Sequence, residues 1–175
     1  MIGVVLIGGS SLRMGRDKAT LMVDGVALGA RVAAALRNGG CHDVIAVGGE
    51  SGAGAALGVP RLADRRPGDG PAAAVDDLIH ELGESVLVCS CDLPAITSES
   101  VAALLTAADQ HTDADAVVVA VNGRRQYPNG VWRQVNRVRP GATFDELLDG
   151  RSVREVDLGE GFVDADLPGD LPAER

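Results

Sequence analysis

With 175 residues, 46% of them hydrophobic, the chain is long enough to close one well-packed core and too short for two ordinary ones, so a single domain over residues 1–175 is expected. A formal charge of −9 and an aromatic content of 2% leave neither a continuous basic face nor a stacking platform, which argues against nucleic acid as a partner. No window reaches the roughly eighteen continuous apolar residues of a membrane span, and no charged leader precedes the first strand. A soluble, cytoplasmic protein with no membrane partner is expected.

Residues 4–7 form a short, β-branched apolar run without alternation, the pattern of a central parallel strand buried on both faces. The stretch Leu6-Ile7-Gly8-Gly9-Ser10-Ser11-Leu12-Arg13-Met14-Gly15-Arg16-Asp17-Lys18 carries the chain off its carboxyl end. Gly8 and Gly9 lack Cβ atoms, so their N–H groups can approach an anion, while Arg13 forks phosphate oxygens and Lys18 adds a point charge. This reads as a loop for a nucleoside triphosphate. It is not a Walker A loop, because Gly15 is followed by Arg16-Asp17-Lys18, and no G-x-G-x-x-G occurs. A glycine-rich turn with solvated charges would not require Gly, Arg and Lys together in this order.

Residues 21–25 read as a short extended piece with a turn, and 27–36 as a helix stopped by Asn38-Gly39-Gly40. A second buried strand over 43–47 ends in Gly48-Gly49. The Gly/Ala-rich segment 51–58 reads as a loop with weak helix, and 59–63 as a short strand. The turn-rich Asp64-Arg65-Arg66-Pro67-Gly68-Asp69-Gly70-Pro71 leads into a helix over 72–82, with Pro71 in its first turn. Residues 85–89 form a strand running into Ser90-Cys91-Asp92-Leu93-Pro94, and Ser98 is expected to cap a helix reaching 108. Residues 116–121 read as a strand turned by Asn122-Gly123, and 126–132 as a further strand interrupted at Pro128. A short helix over 143–148 capped by Thr143, a strand over 152–156 and a loop-like tail with at most one helical turn complete the chain.

Strands alternating with helices specify βαβ units with right-handed crossovers. The fold class is therefore α/β, a three-layer α/β/α sandwich with a mostly parallel, Rossmann-like central sheet. Ligands of such sheets sit at the carboxyl edge of the strands, where the Gly8 loop, Gly48, Asp64 and Asp92 are expected to converge. Asp92 is the best magnesium candidate: a carboxylate at a strand end, stiffened by Pro94, offers the hard oxygen this ion prefers. The competing role is a cap for the following helix; the triphosphate loop favours the metal. In an acidic chain the triphosphate must be held locally, by Arg13, Arg16 and Lys18, with Arg65 and Arg66 as further candidates. Cys41, Cys89 and Cys91 read as reduced core thiols, because His42, His80 and His111 show no zinc-type spacing to them.

The pattern L-x-G-G-x-S-x-R-M-G-x-D-K-A-x-L, running from Leu6 to Leu21, resembles the signature of the molybdenum cofactor guanylyltransferases (MobA type) and their nucleotidyltransferase relatives. Cys91-Asp92-Leu93-Pro94 is similar to that family's metal-binding turn. The resemblance implies a nucleotide-diphospho-sugar transferase-like fold and transfer of GMP from GTP to the phosphate of molybdopterin carrying molybdenum, with release of pyrophosphate. It implies Mg2+ as cofactor, GTP and molybdopterin as partners, and transient contact with cofactor carrier or acceptor enzymes. Carried over by position, it makes Arg13, Lys18 and Asp92 catalytic. Leu6, Ile7, Gly8, Gly9, Ser10, Arg13, Lys18, Gly48, Asp64 and Asp92 become nucleotide contacts, and Asp92 and Asp166 metal ligands. The tail reads Asp166-Leu167-Pro168-Gly169-Asp170-Leu171 where the family more often has asparagines before Thr-Pro-Glu-Asp-Leu, and Ile7 replaces the usual Ala. Gly8 stands where cytidylyl relatives tend to have Ala, which leaves room for a purine. A CTP-using or other NTP transferase, or a non-catalytic nucleotide-binding relative, is the alternative. Tyr127-Pro128-Asn129-Gly130-Val131-Trp132-Arg133 occupies the family's substrate-facing segment, where Trp132 either meets substrate or is half-buried core.

Overall fold

Strand β1 (Ile2–Leu6) lies between β4 (Asp43–Val47) and β6 (Val86–Ser90) and pairs in parallel with both. Neighbours on either side and layers on either face explain why its apolar run does not alternate. The structure is a computed structural model and describes residues 1–7, 18–49 and 53–165. After a 3₁₀ turn at Lys18–Thr20 come the small hairpin β2 (Met22–Val23) and β3 (Val26–Ala27), then α1 (Leu28–Asn38) and β4. Next follow α2 (Ala53–Leu57), β5 (Arg61–Leu62), α3 (Pro71–Leu82), β6 and α4 (Ser98–Gln110). The last third holds β7 (Ala116–Val121), β8 (Arg124–Trp132), α5 (Phe144–Leu147), β9 (Val153–Asp157) and a 3₁₀ turn at Gly159–Phe162.

The described strands build a seven-stranded sheet in the order β5-β4-β1-β6-β8-β7-β9, parallel except where β8 runs antiparallel to β6 and β7. Successive residues of a strand face opposite layers. Val5, Ile7, Leu87, Cys89 and Val117 pack with Val32 of α1, Leu57 of α2 and Leu104 of α4. Val4, Leu6, Val88 and Val118 pack with Val75 and Leu78 of α3 and Leu147 of α5 on the other face. The result is the expected three-layer α/β/α sandwich. Gly39, at the end of α1, permits the close approach to α4, since a Cβ there would lie 2.5 Å from Val101 Cγ1.

The structure moves several expected boundaries. Thr97, not Ser98, caps α4: its backbone is extended and its hydroxyl accepts from Ser100 N at 3.2 Å, while Thr97 N donates to Ser100 Oγ. This is a capping box with Ser in the place of the usual Glu. Asn122 and Gly123, at φ 51° and 73°, form the hairpin turn, so β8 starts at Arg124 rather than at 126. Its register against β7 jumps between the Ala120↔Arg125 and Val118↔Gly130 pairs, which displaces residues 126–129 around Pro128. Trp132 is core: it is fully buried beside Tyr127 and Phe144, and its Nε1 donates to Pro128 O at 2.9 Å.

Arg66 and Arg65, candidates for the triphosphate, are spent elsewhere. Arg66 Nη2 donates to Asp76 Oδ2 at 2.7 Å and its Nε to Asp77 Oδ2 at 2.9 Å, with further bonds to the carbonyls of Val138 and Ala73. Arg65 pairs with Glu81. Arg137 and the Val138 N–H complete the shell of Asp76, which is 1% exposed, and His80 Nδ1 lies 2.9 Å from it. Burial alone would raise the Asp76 carboxyl, but the Val138 N–H and the Arg66 guanidinium outweigh it and hold the group below its ordinary range. The network ties α3 to the chain before α5. Asp76→Asn should cost about 3 kcal/mol in urea unfolding, because it leaves guanidinium charge without its buried partner. The loss should be full above about pH 4 and shrink as pH falls through the depressed folded-state value, where the wild-type carboxylate also takes up its proton.

Candidate functional site

Register places the site. Leu6 is paired with Val47 on one side and Ser90 on the other, and Val47 with Leu62, so four strands end in one row. Ile7, Gly48, Ala63-Asp64 and Cys91-Asp92 therefore all leave the same carboxyl edge. The strands that deliver Asp64 and Asp92 are three positions apart in the sheet, a separation of about 14 Å at ordinary strand spacing. Gly8, Gly9, Ser10, Arg13 and Arg16 lie outside the described residues, as does Asp166.

Lys18 reaches this edge from the 3₁₀ turn. Ala19 behind it is fully buried, and Gly29 lets α1 come close, since a Cβ there would sit 3.1 Å from Ala19 O and 2.8 Å from Leu57 Cδ2. Lys18 Nζ donates to Asp92 Oδ2 at 2.9 Å and to Ala165 O at 3.1 Å, while Ala165 N donates to Asp92 O at 2.9 Å. The amino-terminal segment, the turn after β6 and the tail residue preceding Asp166 thus meet at one point. The two side chains are 19% and 13% exposed, sheltered but open to a ligand.

The side chains of Leu6 and Ile7 pack in the core layers. Leu6 is 8% exposed and packs in one core layer, and the fully buried Ile7 packs in the other. Ile7 N donates to Val47 O at 2.9 Å. The bulk of Ile7 is thus directed into the core. Gly49, at φ 62°, passes so near that a Cβ would lie 2.9 Å from Ile7 O.

The turn after β4 is held by a residue the sequence reading did not single out. Arg61 Nε donates to Gly48 O at 2.7 Å and its Nη2 to Gly49 O at 2.6 Å, while Gly48 N donates to Leu62 O. Asp64 is half-buried, and its Oδ1 accepts from Arg66 N at 2.9 Å in a local turn. A shallow cleft lined by Val47, Leu62, Asp64, Ala74 and Leu78 opens beside it. The cysteines are free and buried; burial pushes the Cys41 thiol up to about 11 and Cys89 higher still, so neither is a thiolate at neutral pH.

The profile of the MobA-like NTP transferase domain matches residues 3–156. A probable molybdenum cofactor guanylyltransferase of Mycobacterium marinum is 34% identical over an alignment covering 99% of this chain and 92% of the relative. One from Mycobacterium tuberculosis is 37% identical over 139 residues, covering 76% and 68%. The crystal structure of molybdopterin-guanine dinucleotide biosynthesis protein A from Archaeoglobus fulgidus superposes with a TM-score of 0.70 at 17% identity, over 97% and 94% of the two chains. The mostly parallel sheet and the matching family model define a nucleotidyltransferase. The chain belongs to the family of the MobA-like NTP transferase domain.

Removing the Arg61 clamp isolates its contribution. Arg61→Ala should speed hydrogen exchange at Gly48 N–H and leave Val5 N–H, at the centre of the sheet, unchanged, as read by mass spectrometry or NMR.

Proposed function

We propose that this chain transfers GMP from GTP to the phosphate of molybdopterin carrying molybdenum, releasing pyrophosphate, as one domain acting in molybdenum cofactor biosynthesis. The observation that carries this reading is the meeting of Lys18, Asp92 and Ala165 at the carboxyl edge of the sheet in which β1 ends at Leu6. In the reaction an oxygen of the acceptor phosphate bonds to the α-phosphorus of GTP as the bond to the pyrophosphate oxygen breaks. That oxygen is already anionic, so no strong base is required, and positioning and charge neutralisation carry the step.

Lys18 exchanges the Asp92 carboxylate for phosphate oxygens when the nucleotide arrives and, with Arg13, neutralises the departing pyrophosphate. Gly8, Gly9 and Ser10 receive the phosphates on their N–H groups. Gly48 and Asp64 take the nucleoside end, across the width of three strands. Gly8 in place of Ala leaves space for guanine.

Among the described residues no group of three His, Cys, Asp or Glu side chains could hold a metal by itself. The donor chemistry fits magnesium all the same, because this ion is commonly held by one or two carboxylates together with substrate phosphates and water. Asp92 would hold it with Asp166, whose neighbour Ala165 is bonded to Asp92. When bound it supplies Lewis-acid polarisation of phosphate oxygens. No helix among the described residues is long and apolar enough to cross a membrane.

Lys18→Ala and Asp92→Ala should each lower pyrophosphate release with GTP and molybdopterin by about two orders of magnitude or more, the scale for losing a preorganised charge in the transition state. Far-UV circular dichroism should stay unchanged. Near wild-type turnover in either variant overturns the assigned roles. In equilibrium competition with magnesium present, GTP should displace labelled GTP far better than CTP does, and equal affinities overturn the guanine assignment.

A further inference from the structure

The pairing of β6 with β8 stops at Val88↔Gly130, two residues short of the end of β6. The next inward N–H on β6, that of Ser90, does not meet a backbone carbonyl of β8. It donates instead to Asn129 Oδ1 at 2.9 Å, and Ser90 Oγ reaches the same oxygen at 3.4 Å. The other end of that amide, Asn129 Nδ2, donates to Phe162 O at 3.4 Å. Asn129 is 2% exposed, so no water competes for either end.

These contacts form a closed ring through the site. From Ser90 the chain runs two residues to Asp92, whose carbonyl accepts from Ala165 N, and from Ala165 it runs back three residues to Phe162. Asn129 joins the two ends. We propose that Asn129 is a positioning residue for nucleotidyl transfer, holding the Asp92 turn against the 162–165 segment so that Asp92 and Lys18 keep their separation. The inference rests on the reading of Asp92 given above. The amide offers an acceptor toward Ser90 N–H and a donor toward Phe162 C=O on two separate atoms; a carboxylate would set an oxygen against that carbonyl, and an aliphatic side chain would satisfy neither. Losing the amide removes the bonds of a half-buried N–H at Ser90 and of the carbonyl of buried Phe162, within a few residues of Asp92.

The test uses the full chain. Asn129→Ala should lower kcat for pyrophosphate release about tenfold or more while KM for GTP stays within about twofold, because misplacing a reacting-site group costs the transition state more than the bound state. Hydrogen exchange should quicken at Ser90 and Ala165 N–H and stay unchanged at Val5 N–H. If Asn129→Ala does not fold, Asn129→Asp serves, with the same loss of kcat expected because its second oxygen faces Phe162 O. A kcat within twofold of wild type overturns the proposal, and so does a general loosening in which Val5 N–H quickens equally. Asp92→Ala is run in parallel: a dead Asp92→Ala beside an active Asn129→Ala overturns this proposal alone, whereas a fully active Asp92→Ala overturns the reading of Asp92 and this proposal together.

Discussion

The parallel register of β1 with both its neighbours is the constraint on which the rest depends. Because Leu6 is level with Val47 and Ser90, and Val47 with Leu62, the loops that follow four different strands emerge from one line. Sliding any of them by one residue would exchange its two faces between the core layers and retract its loop from the edge. The apolar layers on both faces enforce the alignment, since Val4 and Val5 point into opposite layers and neither side tolerates the other's polar loop residues. A site assembled in this way inherits its precision from the core rather than from the loops.

What the core does not hold is held by side-chain bonds to backbone. Arg61 grips the two carbonyls after β4, and the Arg66 network ties α3 to the chain before α5. Arg133 donates to the carbonyls of Ala108, His111 and Ala114 where α4 ends, adding a positive charge at the carbonyl end of the helix. In a chain of net charge −9, several arginines are thereby committed to architecture. The cations left for a polyphosphate must be few and well placed.

Lys18 and Asp92 form a mutually compensated pair at the carboxyl edge. Each partly sheltered charge has the other as counter-ion at 2.9 Å, which avoids leaving either one uncompensated. Under the proposed function, a polyphosphate would take the place of the carboxylate at Lys18 and a hard cation that of the ammonium at Asp92.

The local patterns of the chain determined the elements and the chemistry. The unalternating run before Gly8 meant a doubly covered strand, Asn122-Gly123 meant a turn, Thr143 meant a helix cap, and the pattern from Leu6 to Leu21 with Cys91-Asp92-Leu93-Pro94 carried the resemblance to the nucleotidyltransferase family. Those signals live within a few residues of one another, so one-dimensional reading captures them. Only the tertiary structure decided that Arg66 belongs to Asp76 and Asp77 rather than to phosphate, that Trp132 is core, and that Asn129 joins β6 to the tail. The bonds of Arg66 to Asp76 and of Asn129 to Ser90 reach partners 10 and 39 positions away along the chain, and which distant groups meet is set by sheet order and layer packing, to which local sequence is blind.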